Sequence, residues 1–499
     1  MTSRVSRRLT EGTAAEVTEN IYAPRLAKDF PAVFGPLNDV NQAHLLMLLH
    51  TGLIPAEPAA QLARALLRIE ADGVDAVPLD PSIEDAYFNY EAWLMEVAGA
   101  HVGGYLHMAR SRNDILATMD RMRARELALT LVDQLCAVRD SALEGALAHR
   151  HVVMPGYTHL QPAQPITYGF YLSAIAESIG RDIERVRQVE RLIDLCPLGA
   201  GALAGTSFAI DRQETAQLLG FESPVGNALD AVGSRDFAME LLSAMAICAV
   251  GWSRFAQDYF VWCTGEFGLI DFPDRVAGTS SIMPQKKNPV VLEYLKGKGG
   301  HLIGLLTAAL STIKGVNFSH TGDASRESMR SFWEAGDECV RCLKLLDLVV
   351  RSATPNSVAM AQRVRRDFSS ATDLADLLVC RCGLSFRESH HVVGAVVRLA
   401  MDRSLGADEI GLDLLNQAAQ DTLGHTLDIG DDELRASLDP LASVDARLVF
   451  GGPSPQRVEE RVAELARVSA NDRQANQTRR TRSIEARQTL KQLIQGLAL

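Results

Sequence analysis

Apolar residues along this chain recur with the period of a helix rather than of a strand. From Arg112 to Leu143 there is neither glycine nor proline, and Ile115, Met119, Met122, Leu127, Leu131, Leu135 and Val138 fall three to five residues apart. That is the spacing of a buried helical stripe. Similar windows cover about 163–195, 227–265, 289–313 and 327–353. At ~1.5 Å per residue these predict helices tens of ångströms long. Five in succession predict an all-α chain built around a long helical bundle. Such helices cannot each bury every apolar face within one chain, so the pattern also predicts a closed homo-oligomer.

Backbone irregularity concentrates at 100–113, 154–165, 271–288 and 314–326, and in the stretch from Gly199 to Gly205. The last fails as a dinucleotide fingerprint, because no parallel strand precedes it and its spacing is wrong. It reads as a tight interhelical loop. After about residue 360 the helical windows shorten. The tail at 470–499 is polar, with Arg479 beside Arg480, and reads as a solvated helix or a frayed end. The chain divides accordingly into an N-terminal helical segment 1–111, a central long-helix segment 112–363 and a C-terminal helical segment 364–499.

Composition narrows the partners. The 499 residues are 47% hydrophobic, enough for a large core, and carry a formal net charge of −12. That balance excludes nucleic acid and anionic membrane surfaces as main partners, although a few residues can still make a local site for a small anion. No stretch approaches the roughly 18 uninterrupted apolar residues of a transmembrane helix, and no apolar segment follows the basic Met1–Arg8, so a cytoplasmic protein is expected. Eight cysteines lie scattered among the helical windows, as in a reduced protein. Cys339 and Cys342 have no second pair at metal spacing, and Cys380 with Cys382 does not supply one. They read as buried thiols. Neither a metal nor an organic cofactor is expected.

The chemistry-bearing stretch is Gly278-Thr-Ser-Ser-Ile-Met-Pro-Gln-Lys-Lys-Asn-Pro289. Gly278, Pro284 and Pro289 break any helix, while Ser280, Ser281, Lys286 and Lys287 crowd together. Asn288 and Pro289 read as the cap and first residue of the next helix. On its own this fits either a basic surface turn or an anion site at a helix N-terminus.

The ordered string resembles the signature loop of the aspartase/fumarase superfamily, and its Pro-Gln-Lys-Lys-Asn-Pro wording resembles argininosuccinate lyase. Three further segments are similar to that family: Leu106-His-Met-Ala-Arg-Ser-Arg-Asn-Asp114, Gly156-Tyr-Thr-His-Leu-Gln-Pro-Ala-Gln-Pro165, and Pro197 to Gly205 followed by Arg235-Asp-Phe237. The resemblance implies three helical domains around a five-helix bundle that assembles into a 20-helix tetramer core, with three subunits completing each site. It implies elimination of an amine from an N-substituted aspartate to give fumarate. Ser280 is then the base that takes the Cβ proton, Lys286 and Asn288 hold a carboxylate, Met283 lines the site, and Thr158 and His159 act on the substrate.

These residue types suit that reaction. Breaking a C–N bond β to a carboxylate means removing a weakly acidic carbon-bound proton, and the charge that develops spreads onto the carboxylate as an enediolate. Fixed donors must neutralise it. Lys286, Asn288, Ser281, Ser111, Arg112 and Asn113 are suitable, and Arg112 can grip a carboxylate bidentately. A serine base needs a loop that closes, excludes water and surrounds it with cations and amide dipoles; Gly278 reads as the hinge. His159 handles the proton near the departing nitrogen or polarises the carboxylate, and Glu293 is a candidate to orient a histidine.

Departures from argininosuccinate lyase bear on the substrate. Ile115 stands where that family usually has Gln, Tyr87 where His is expected, and Ser6-Arg-Arg-Leu9 where Gly-Gly-Arg-Phe is expected. The Tyr, Gln and Lys of the later loop are replaced by His320, Ser325 and Ser328. Polar partners for arginine are therefore missing. His320, Ser325 and Arg330 are candidate contacts to a different amine half. Arg326 and Arg330 suit extra carboxylates as well as structural ion pairs. The expected substrate class is an aminopolycarboxylate such as ethylenediamine-N,N'-disuccinate, with argininosuccinate as the alternative and a non-catalytic, crystallin-like structural role as the remote one.

Overall fold

The helical windows become helices in the computed structural model, which describes residues 11–499. The Ser6–Leu9 segment lies outside the described residues. Three helices open the chain: α1 (Ala23–His50), α2 (Ala56–Asp72) and α3 (Ala86–Ala98). The bundle follows as α4 (Arg112–Ala148), α5 (Tyr168–Ile193), α6 (Asp236–Trp262), α7 (Val290–Ile313) and α8 (Ser328–Ser352). Next come α9 (Ser357–Arg366), a group of short helices between Ala371 and Ala446, and α10 (Pro455–Ala498).

Helix starts follow their capping chemistry. Ser111 and Asp114 form a reciprocal capping box on α4. Thr167 Oγ1 accepts from Phe170 N at 2.9 Å on α5, and Ser454 caps α10 with Pro455 behind it. Two expected boundaries move. α5 begins at 168 because residues before it form a strand. The 227–265 window splits into a short helix, Ala228–Gly233, and α6.

The stretch 154–165, expected to be irregular, is a hairpin of β1 (Val153–Thr158) and β2 (Gln161–Thr167), with a register shift between Pro155 and Tyr157. Prolines at 155, 162 and 165 hide the strand signal in the sequence. An isolated two-stranded ribbon tolerates them because each strand has a free edge.

Apolar side chains gather in three main clusters. One fills the bundle, one joins α1–α3 to the start of α4, and one lies within the short helices after 371. The polar tail is helical to Ala498 and docks instead of fraying. Val458, Val462 and Leu465 enter the bundle cluster, and Leu490 and Ile494 enter the N-terminal one. Arginines pin it down: Arg479 meets Glu190, Arg482 meets Asp194, and Asp472 lies between Arg139 and Arg187 at 2.8 and 2.5 Å.

By length and composition α6 alone among the described residues is apolar enough to cross a membrane, a signal missed by a search for unbroken apolar runs. In the fold 61% of its most apolar window is buried. Ile247 and Val250 on α6 and Ile303 and Leu310 on α7 stay 44–48% exposed.

Candidate active site

The site residues fall into two groups at opposite ends of the bundle. At the start of α4, Ser111 Oγ accepts from Asn113 N at 3.3 Å, and Ser111 N donates to Asp114 Oδ1 at 2.9 Å. Asp114 Oδ2 takes the Gly199 and Gly201 amides at 2.9 Å each, and Asn113 Nδ2 donates to Ala202 O at 3.1 Å. These bonds clasp the glycine loop to the helix start. Gly201 has φ +62°, and a Cβ there would lie 2.7 Å from Gly205 O, so the loop requires glycine. Burial pushes the Asp114 carboxyl up to about 6, against the pull of the amide donors.

Arg112 does not stand free. Its Nη1 lies 2.7 Å from Glu84 Oε2 and 3.2 Å from Asp85 Oδ2, and its guanidinium covers the Phe88 ring at 4.6 Å. Glu84 has φ +80°, a conformation costly for a side-chain-bearing residue. Glu84, Ala109, His159 and Leu160 are four of the five such residues among those described, and all four lie in segments tied to the site; Ser404 is the fifth.

His320 joins this end. Its Nδ1 is buried without a partner. Burial, then Arg235, Arg326 and Arg112, bring its pKa down to about 4, so the ring is neutral. Arg235 is 1% exposed, pairs with Asp120 at 3.3 Å and donates to Ser234 O at 2.8 Å. Ser325 differs from expectation: it is buried, and its hydroxyl is satisfied by Thr321 O at 2.7 Å. This is the usual back-bond of a helical hydroxyl to the carbonyl four residues earlier, which the Ser325 amide shares at 2.9 Å. Arg330 sits at the first turn of α8, exposed and without an ion pair among the described residues.

At the other end lies the hairpin. Thr158 pairs with Gln161, leaving His159 and Leu160 as a two-residue turn at φ +55° and +58°. Both positions have positive φ, as a type I′ turn requires, yet neither is Gly, Asn or Asp. Here also is the loop 278–288. Gly278 and Asn288 exchange backbone hydrogen bonds of 2.8 and 2.9 Å. Asn288 therefore closes the loop base, with its Nδ2 3.3 Å from Thr279 O, and Pro289 occupies the cap position without a side-chain bond. That places the helix start one residue later than expected. Gly278 serves as a packing point more than a hinge: a Cβ would meet Val290 Cγ1 at 2.5 Å.

Ser280 Oγ accepts from Met283 N at 3.1 Å and from Ile282 N at 3.4 Å. Ser281, Met283 and Lys286 are exposed beside it. Lys287 is held by Asp271 at 3.0 Å and Asp274 at 3.5 Å, which leaves Lys286 as the cation without an ion pair in this loop among the described residues. Glu293 is exposed on α7 and bonds to no histidine among the described residues, so the orienting role expected of it is not formed within this chain.

The ends are far apart. α4 has 37 residues, about 55 Å at 1.5 Å per residue, with Arg112 at its start and the hairpin after its end. Sequence reasoning grouped these residues but missed the partners that aim them, Glu84, Asp85 and Asp114. The acidic pair preceding α3 was a visible signal for the first two. Among the described residues no group of three or more His, Cys, Asp or Glu is placed to hold a metal.

Comparison with known proteins gives the family. Residues 39–304 match a lyase family, and residues 368–445 match the argininosuccinate lyase C-terminal family. The chain belongs to the argininosuccinate lyase-like branch of the aspartase/fumarase superfamily and is a carbon–nitrogen lyase that releases fumarate. It is 39% identical over 467 residues to argininosuccinate lyase 1 of Shouchella clausii (strain KSM-K16), covering 94% of each chain. It is also 39% identical over 434 residues to argininosuccinate lyase of Methanoculleus marisnigri (strain ATCC 35101 / DSM 1498 / JR1), covering 87% of each. Among solved structures it resembles EDDS lyase in complex with formate, with a TM-score of 0.88 and 31% identity over 98% of this chain and 97% of that one. A two-substitution variant of EDDS lyase with bound fumarate gives 0.87 and 30%, with the same coverage of each chain.

Proposed function

We propose that the chain works as a homotetramer in which three subunits complete each site, and that it reversibly eliminates an amine from an N-substituted aspartate. The observation that carries this reading is the separation of the two residue groups by the length of α4. The Arg112 group of one copy can meet the Ser280 and His159 groups only if they come from other copies. The apolar residues left exposed on α6 and α7 supply a surface for such association.

In the assembled site Arg112, Ser111, Asn113, Lys286 and Asn288 hold the carboxylates of the aspartate half. Ser280 removes the Cβ proton. The amides of Ile282 and Met283 already point at its oxygen, and such donors favour the alkoxide once the exposed loop closes and water leaves. Negative charge then moves onto the carboxylate as an enediolate, where Lys286 and the guanidinium of Arg112 stabilise it. Thr158 and His159 attend the departing nitrogen. The strain at His159 suits a side chain fixed for a task. Met283 contributes an apolar wall.

For the amine half we favour an aminopolycarboxylate, with ethylenediamine-N,N'-disuccinate the leading substrate. The neutral His320 and the nearby arginines support this choice. Argininosuccinate is the second reading, favoured by the 39% identity to argininosuccinate lyases. Initial rates of fumarate formation from each compound decide between them. Normal turnover of argininosuccinate alone would overturn the aminopolycarboxylate assignment.

A further inference from the structure

The sequence put Arg330 forward as a contact and left Arg326 open to a carboxylate or a structural ion pair; the fold distinguishes them the other way. Arg330 is exposed on α8, whereas Arg326 has a side chain 17% exposed within the Arg112 group. Its one ion pair among the described residues is long, 3.4 Å from Nη2 to Asp85 Oδ2. That same oxygen lies 3.2 Å from Arg112 Nη1, so two guanidinium groups share one carboxylate oxygen. Arg112 has a better partner in Glu84, but Arg326 has none. Nearby Arg25 is occupied by Asp29 at 2.9 Å, and Arg235 by Asp120.

Tyr22 and His320 are further neighbours, the latter a neutral ring with an unpartnered Nδ1. Burial and the surrounding cations lower the pKa of Arg326, the direction expected for a cation with too little counter-charge. A second anion beside the one held by Arg112 would complete this arrangement. An amine half whose only charge is positive, by contrast, would meet like charge on two sides.

We infer that Arg326 is the specificity-determining residue for the amine half: it takes a carboxylate borne by the departing amine while Arg112 holds the aspartate half. This rests on the lyase reading above and names the substrate class within it, amines that carry a carboxylate. Asp85 is the counter-ion that keeps Arg326 in place when the site is empty, and its long contact is the one the substrate carboxylate replaces. A guanidinium suits this role because it offers paired donors in one plane.

The test is fumarate addition in the reverse direction, using the full-length wild type, Arg326→Gln and Arg326→Lys. Aspartate and ethylenediamine-N-succinate serve as carboxylate-bearing amines, and ethylenediamine and propane-1,3-diamine as amines without a carboxylate. Arg326→Gln is expected to raise KM for the carboxylate-bearing amines by about ten- to a hundredfold, the scale of one lost charged hydrogen bond. KM for fumarate and the rate with ethylenediamine should be unchanged, and Arg326→Lys should recover part of the loss.

An equal loss with every amine, a raised KM for fumarate, or the same selective loss from Arg330→Gln instead would overturn the assignment. A wild type that adds no amine at all to fumarate would sink the lyase reading itself, a result distinct from failure of Arg326. Matching thermal midpoints for the variants keep a folding defect from imitating the expected loss.

Discussion

Ser280 lies in an exposed loop and bonds only to amides of its own turn, so its role can be separated from folding. Ser280→Ala should lower kcat for fumarate release by on the order of 10²–10⁴-fold, the usual contribution of a positioned base. The thermal midpoint should stay within a degree or so, because surface changes of this kind are nearly neutral. Glu84 presents the opposite trade. Its φ of +80° suits glycine, so Glu84→Gly relieves roughly 1–3 kcal/mol of backbone strain while removing the 2.7 Å partner of Arg112. The expected outcome is a midpoint equal to or above wild type together with a raised KM for fumarate, read from unfolding curves and initial rates. A falling midpoint would show that the ion pair outweighs the strain. The acidic pair was visible in the sequence, but the strain and the geometry that aims Glu84 at Arg112 were not, because both depend on the turn that carries the chain from residue 80 into α3.

At the scale of elements, legibility followed periodicity. The five bundle windows were visible because one apolar stripe runs along each, and the observed helices fall within or close to those windows. The hairpin was hidden because its prolines remove the alternation and the donors by which strands are recognised. The tail looked detachable because its polar residues outnumber its apolar ones. Its Arg473, Arg479 and Arg480, however, find Asp140, Glu190 and Asp133 on α4 and α5, hundreds of residues away in sequence. Asp472 is the centre of that seam. Asp472→Ala leaves the fully buried Arg139 without a counter-charge and should cost about 3–5 kcal/mol in denaturant unfolding. A cost below about 1 kcal/mol would mean that water or a neighbouring acid takes over.

For the whole molecule, the reaction class was legible in short ordered motifs, and the expected helix lengths already carried those motifs to different ends of one chain. Two inactive chains should therefore complement each other. Ser280→Ala and Arg112→Ala subunits, unfolded together and reassembled, should recover a substantial fraction of wild-type activity, because some sites draw both intact residues from different copies. Mixtures as inactive as their parents would refute shared sites. Stability should also depend on pH through His44, which is buried beside Arg110 and held neutral, its Nε2 2.8 Å from Met108 O. The unfolded chain takes up a proton below about pH 6.5 that folded His44 refuses, so this contribution is complete above that pH and is lost as pH falls through it. Urea unfolding of wild type and His44→Gln should therefore differ less at pH 5 than at pH 7.5.

The docking of α10 has a consequence for how the chain comes into being. Leu490 and Ile494 close the same apolar cluster as Leu26, Phe30 and Leu37. Helices α1–α3 therefore wait, through hundreds of residues of further synthesis, for the α10 side chains that complete their core. At translation speeds of about 5–20 residues per second that wait lasts tens of seconds or longer. Over that interval the N-terminal segment carries open apolar surface, and it is the part of the nascent chain that a chaperone would find first.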